Sequence, residues 1–169
     1  PCGEYTGQES SAPDFFLLNS KTFSFSITED GQLIRVIVRD ESKKPEVYLE
    51  KSGNTEAQPG QLLPYTLSQI QNKSNCSLDN FYVEDVIPTD AVRLQTIHTG
   101  TYNEILTYRV LYKTNLYPEY KVLAEDLSSQ IPHTLSCSSQ SLGLAANEYV
   151  TAIRFQFGRV QEGFANKTN

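Results

Sequence analysis

No stretch of this chain returns an apolar residue every three or four positions for longer than a turn or two; Leu142 to Tyr149 comes nearest. A helix that buries one face needs that period sustained, so the chain must fold mainly with strands. Segment 21–40 carries the opposite period. Phe23, Phe25 and Ile27 alternate with Thr22, Ser24, Ser26 and Thr28, and beyond Glu29-Asp30-Gly31-Gln32 come Ile34, Val36 and Val38. Asp-Gly between two alternating runs predicts a two-residue hairpin turn with both residues at positive φ. The register pairs Ile27 with Ile34, Phe25 with Val36 and Phe23 with Val38, and one further step sets Lys21 opposite Asp40.

Ten Tyr and eight Phe, together with many Val, Ile and Thr, favour pleated structure elsewhere too. Strands are predicted at 46–51, 62–70, 79–87, 92–99, 105–113, 119–124 and 148–157. They are separated by turn-forming segments such as Ser52-Gly53-Asn54, Pro59-Gly60 and Pro88-Thr89-Asp90. Many short strands with frequent turns predict an all-β chain, an antiparallel β-sandwich with a partial second β-domain. Glu41-Ser42-Lys43-Lys44-Pro45 is charged, lacks apolar residues and ends in Pro, which predicts a junction between a partial domain at 1–41 and a sandwich at 45–169.

Lys plus Arg number 14 against 20 Asp plus Glu, a net charge of −6 over 169 residues. A sequence-independent nucleic-acid binder needs a basic surface, so nucleic acid is not expected as a partner. No apolar run approaches the roughly 18–20 residues of a membrane span, and no membrane contact is expected from this segment. The chain begins at Pro1 and contains no Met, and we expect a piece of a longer or processed protein. Cys2, Cys76 and Cys137 stand far apart, and His98 and His133 stand alone, which predicts no metal site. The odd count favours three unpaired, mostly buried thiols over one disulfide with one free thiol. No nucleophile elbow, P-loop, zinc-protease or calcium-loop motif occurs, and no cofactor is expected. Three sequons, at Asn72, Asn75 and Asn166, arise easily by chance in polar loops.

Two stretches carry a resemblance. Gly3-Glu4-Tyr5-Thr6-Gly7-Gln8-Glu9-Ser10-Ser11-Ala12-Pro13, with Leu17-Leu18-Asn19 and the Ile27–Gln32 turn downstream, resembles the C-terminal half of a SpaA-type, Cna B-type pilin domain. Such domains are prealbumin-like β-sandwiches of Gram-positive surface proteins. Gly7 stands where that family carries an apolar residue. From Glu46 onward the chain is similar to the conserved repeat domain of Firmicutes cell-wall-anchored proteins. The strings are Asn72–Asn103, Tyr108–Asn115 and Leu142–Phe164. The resemblance implies an Ig-like or prealbumin-like sandwich, an extracellular location with wall anchoring through flanking regions, and a structural or adhesive role.

It also implies one kind of chemistry. Cna B-type domains join a Lys amine to an Asn or Asp side chain with help from a buried Glu, because burial favours the neutral amine and the protonated acid. By resemblance Glu9 takes the assisting position and Asp40 the acceptor position, while the family's Lys lies on a strand before Pro1. The plainer alternative makes Glu9 and Asp40 rim carboxylates, with Asp40 paired to Lys21. Lys51 and Asp85 end two strand stripes, and a second, weaker candidate is a Lys51 crosslink assisted by Asp85, whose Asn acceptor is expected on a closing strand beyond Asn169.

The reading expected from sequence is therefore non-enzymatic: a stalk or adhesive module whose partners are neighbouring domains of its own polypeptide and a host or matrix protein or glycan. One rival is a direct glycan- or protein-binding adhesin that uses loop residues Tyr102, Asn103, Asn115 and Tyr117. Another is an accessory β-domain of a secreted carbohydrate-active enzyme.

Overall fold

The computed structural model describes residues 1–54 and 56–168. Among them every regular element is a strand and every strand pair is antiparallel, so the protein is all-β. The chain divides into two units, Pro1–Lys44 and Pro45–Asn169.

The first unit is built on two strands, β1 (Gly3–Gln8) and β2 (Thr22–Ile27), paired from Gly3↔Ile27 to Gln8↔Thr22. The partner of β2 is thus β1, which corrects the predicted hairpin with 34–38. The cause lies in the turn. Gln32 N–H closes it onto the Glu29 carbonyl at 3.4 Å, but only Gly31 takes positive φ, so Asp30 does not supply the second residue a two-residue hairpin turn requires. The Gln32 side chain then folds back, and its Oε1 accepts from Thr28 N–H at 2.8 Å, where the first rung of the ladder belongs. Residues 36–39 run past Thr22 and Phe23 with a gap of about 570 Å³ between them. The aromatic stripe of β2 packs on β1 instead. Tyr5 and Phe25 stack at 5.5 Å, and the Phe23 ring covers Gly7 so closely that a Cβ there would run into it. That contact explains a Gly where the resemblance implies an apolar side chain. Phe16 and Ser42 form a bridge that ties the 14–18 segment to 41–43.

Among the described residues the second unit holds ten strands: β3 (Val47–Gly53), β4 (Tyr65–Asn72), β5 (Leu78–Val86), β6 (Thr96–His98), β7 (Thr101–Tyr102), β8 (Thr107–Thr114), β9 (Lys121–Ser128), β10 (Thr134–Ser136), β11 (Val150–Val160) and β12 (Asn166–Thr168). Four of them form the main sheet in the order β5-β11-β8-β9. The other layer is made of three ribbons, β3-β4, β7-β12 and β6-β10, with a Gln71↔Ala165 bridge joining β4 to the approach of β12. β11 is an inner strand, and its apolar residues Ile153, Phe155, Phe157 and Val160 are all buried. Phe157 lies at the middle of an aromatic cluster, 4.9 Å from Tyr102, 5.1 Å from Tyr108, 5.3 Å from Phe164 and 6.0 Å from Phe81. Ring pairs at such spacings add about 0.5–1.5 kcal/mol each beyond the area they bury. Ile70 and Ile97 reach the same cluster from the ribbon layer, so two layers close on one core and the unit is sandwich-like.

Candidate functional site

The two candidate carboxylates of the first unit, Glu9 and Asp40, lie outside any deep core. Glu9 is half-buried on the side of Tyr5 and Gly7, and its Oε2 accepts a hydrogen bond from Asn19 N–H at 2.7 Å. Asn19 Nδ2 donates in turn to the Arg39 carbonyl at 3.2 Å, so this one residue draws the end of β1 toward the backbone just before Asp40. Asp40 is not on a strand, a correction that follows from the unformed hairpin arm. Its Oδ1 is enclosed without a hydrogen bond, and among the described residues no ion pair joins Asp40 to Lys21.

Lys51 and Asp85 do meet. Nζ lies 2.6 Å from Asp85 Oδ1, and its other near neighbour is the Tyr65 ring at 5.1 Å. The pair links the ribbon strand β3 to β5 of the main sheet. The lysine side chain is 38% exposed and the aspartate 17%, so the interaction contributes at most about 1 kcal/mol. A lysine this exposed lacks the apolar surroundings that such a crosslink requires.

The loop candidates divide. Tyr102 is 3% exposed and stacks on Phe164 at 5.3 Å within the aromatic cluster, so it holds the core and offers no surface to a ligand. The Asn103 amide is used internally: Nδ2 donates to the Gly163 carbonyl and Oδ1 accepts from Ala165 N–H, both at 2.8 Å. Asn115 is also a clamp, donating to the Asn147 carbonyl and accepting from Tyr149 N–H. Tyr117 remains half-exposed, with Lys121 Nζ 3.9 Å from its ring centroid. Two residues read as tip residues are therefore fasteners, and one is core.

The outer face of the main sheet went unnoticed in the sequence. Register places Tyr82 and Glu84 of β5 beside Gln156 and Arg154 of β11, and these beside Arg109 and Leu111 of β8. Arg154 is sandwiched between two tyrosine rings, 4.4 Å from Tyr82 and 4.2 Å from Tyr120. It donates through Nη2 (2.6 Å) and Nε (3.0 Å) to Glu84 Oε2, while Lys113 lies 4.0 Å from Oε1. The Arg154 hydrogen bonds hold the Glu84 carboxyl below its usual range, and Glu84 raises the guanidinium in return. The Tyr120 hydroxyl is buried beside Glu84 without reaching it in good hydrogen-bond geometry; burial, then the carboxylate, push its pKa up to about 12. Leu111 and Ala152 point away from the core yet are buried, so the larger side chains of this face cover them. The signal for this face was alternation itself: Tyr82, Glu84, Arg154 and Gln156 occupy out-facing positions of strongly patterned strands.

Two smaller expectations also meet the structure here. All three cysteines are free; Cys137 alone is buried, with burial raising its thiol to about 11, while Cys76 is intermediate and Cys2 exposed. Asn72, the first sequon asparagine, is 1% exposed and spends both amide hydrogens on carbonyls, so the folded chain presents no acceptor there. Among the described residues no three His, Cys, Asp or Glu side chains gather to hold a metal ion.

Comparison of the chain with protein-family models, with curated proteins and with solved structures returned no match. What the fold and the site define is an all-β, sandwich-like protein with an ordered aromatic and charged sheet face.

Proposed function

We propose that this chain is a load-bearing, non-enzymatic structural or adhesive module of a cell-wall-anchored bacterial surface protein. The observation that carries the reading is strand direction. β3 is antiparallel to β4, and β4 is antiparallel to the backbone leading into β12. β3 and β12 therefore point the same way with β4 between them. A pull applied at Pro45 and Thr168 drags the two strands in opposite senses along their lengths. The β3–β4 rungs, the Gln71↔Ala165 bridge, the 2.9 Å bond from Ile70 N–H to Asn166 Oδ1 and the 2.8 Å bond from Asn72 N–H to the Phe164 carbonyl then carry load together. Bonds loaded together resist more force than bonds opened in turn, which is what a stalk requires. An Ig-like or prealbumin-like sandwich and an extracellular location belong to the same proposal. Its support is the surface-protein resemblance and this geometry.

A single-molecule pull on the full chain tests it. Handles at Pro45 and Thr168 load the layer in shear, whereas handles at Pro45 and Lys73 peel β3 from β4 one rung at a time, beginning with the 2.9 Å bond from Lys73 N–H to the Glu46 carbonyl. The shear pull is expected to need several-fold more force; equal forces would sink the load-bearing reading. A second reading, a ligand-binding adhesin, is favoured by the Arg154 platform, whose rings and charges are held in place before any ligand arrives.

A further inference from the structure

Toward one end of the main sheet, three strands lose their regular register at the same level. On β9, Glu125 and Asp126 together oppose the single residue Arg109, because pairing steps from Tyr108↔Leu127 to Val110↔Ala124. On β11 the pairing with β5 slips between Gln156 and Gly158, where Gly158 takes a φ of 78° that a side chain would resist. The β8–β11 pairing runs only as far as Arg109↔Gln156. An extra residue bends its strand and re-aims its neighbours. Coinciding on adjacent strands, these irregularities open a cleft of about 340 Å³ lined by Arg109, Glu125, Asp126, Gln156 and Gly158. That volume falls within the range of small-molecule sites.

The chemistry of the cleft is specific. Arg109 Nε donates to Gln156 Oε1 at 3.0 Å, which fixes the guanidinium plane and the amide orientation together. The terminal guanidinium nitrogens and Gln156 Nε2 then remain as donors, and the Glu125 and Asp126 carboxylates as acceptors; among the described residues none of these groups takes a protein partner. Tyr82 stands directly across from Gln156 on β5. Its ring is half-exposed and backed by Arg154. Strands lie about 4.8 Å apart, so the row from Tyr82 through Gln156 and Arg109 to the β9 bulge spans about 14 Å across the sheet.

A row of fixed donors and acceptors ending in a flat aromatic ring suits a ligand whose groups both give and take hydrogen bonds and which has an apolar C–H face. That is a sugar chain. Two carboxylates against one guanidinium, on a chain of net charge −6, disfavour a phosphate, sulfate or acidic sugar. We propose that this row is a binding subsite for a short neutral oligosaccharide, with Tyr82 stacking on one ring and Arg109, Gln156, Glu125 and Asp126 bonding the hydroxyls of the next. The subsite lies on the main sheet, away from the β3–β4–β12 load path. Failure of the pulling experiment would leave it untouched, and its own failure would leave the load-bearing reading untouched.

The test uses the full chain on an array of neutral hexose and N-acetylhexosamine oligosaccharides, with sialylated and sulfated members included, followed by titration of the strongest neutral binder. At least one neutral oligosaccharide is expected to bind with and without EDTA. Arg109→Ala, Tyr82→Ala and the double change Glu125→Gln with Asp126→Asn should each weaken it tenfold or more. Asn at 126 tolerates the φ of 54° found there, so the bulge survives that change. Lys121→Ala, at the other end of β9 and opposite Tyr112, should leave binding unchanged. The proposal is overturned by an array without neutral hits, by hits confined to acidic sugars, by loss of binding in EDTA, or by binding that persists in the folded Arg109→Ala and Glu125→Gln/Asp126→Asn variants.

Discussion

Asn72 offers the sharpest test of what holds the layer of β3, β4 and β12 together. It ends β4, and its side chain reaches three backbone groups in two turns. Nδ2 donates to the Cys76 carbonyl at 3.0 Å and to the Gln161 carbonyl at 2.8 Å, and Oδ1 accepts from Ser74 N–H at 3.0 Å. At 1% exposure, no water stands ready to replace them. Asn72→Ala strands two acceptors and one donor. Each stranded buried group costs about 1–3 kcal/mol, nearer the low end for a carbonyl that keeps a second lone pair, so the loss is about 3–5 kcal/mol. Against a domain stability of about 5–15 kcal/mol that is a large fraction. Asn103→Ala is the control. Its amide also spans two backbone groups at 2.8 Å, but the residue is exposed, water takes over, and the loss is expected to be about 1 kcal/mol or less. Urea unfolding followed by tyrosine fluorescence reads both, since the chain has no Trp. A fall of under about 1 kcal/mol for Asn72→Ala, or equal losses for the two variants at unchanged m, would refute burial as the factor that sets the cost.

Glu84 makes part of the stability pH-dependent. Its folded pKa is depressed below the ordinary 4.5, chiefly by the Arg154 hydrogen bonds, so its contribution is present above that value and lost as pH falls through the depressed one. Glu84→Gln should lower stability at neutral pH and flatten its fall on acidification; an unchanged acid slope would remove Glu84 from the account. For the crosslink candidates, the intact mass of the chain is expected to be that of the unmodified sequence. The Lys51 amine is held in an ion pair, and among the described residues no ion pair brings an amine to Glu9 or Asp40. A mass short by one water or one ammonia, mapped to Lys51 or to Asp40, would show that the burial argument fails.

The all-β class was legible because period-two alternation and turn residues recur along the chain, and β5, β8 and β11 lie close to their predicted spans. The hairpin at 21–40 was not, and the reason is local. Alternation says which side of β2 faces in, but not which strand covers it. Tyr5 and Gly7 offer Phe25 and Phe23 a stacking ring and an open backbone, while Ile37 leaves the 34–38 run apolar on both sides and its register weakly specified. The same limit misread Tyr102. A Tyr-Asn step close after a Thr-Gly pair looks like a loop tip, yet Tyr102 ends the two-residue strand Thr101–Tyr102 with its ring inward. The short strands β10 and β12 left no pattern, because three residues are too few to show a period.

The bulges left a trace that alternation alone overlooks. Among the described residues three non-glycines hold positive φ: Gln69 at 54°, Asn80 at 56° and Asp126 at 54°. Each belongs to a two-against-one step in its ladder, opposite Leu49, Arg159 and Arg109 respectively. In a regular strand, residues three apart face opposite sides. Here Leu67 and Ile70 of β4, like Leu78 and Phe81 of β5, both pack in the core, and Ala124 and Leu127 both pair with core-facing residues of β8. Only an extra residue between them restores the phase. An i, i+3 jump inside an otherwise alternating run is therefore a sequence signature of a bulge. The left-handed conformation costs roughly 1–2 kcal/mol per residue, less for Asn and Asp. Keeping a large apolar side chain inside contributes about 1.5–3 kcal/mol, enough to hold each bulge in place. Rephasing the core also sets two side chains on the strand where a regular ladder has one. At Arg109 both are carboxylates, so the step that keeps Leu127 opposite Tyr108 is the step that furnishes the cleft.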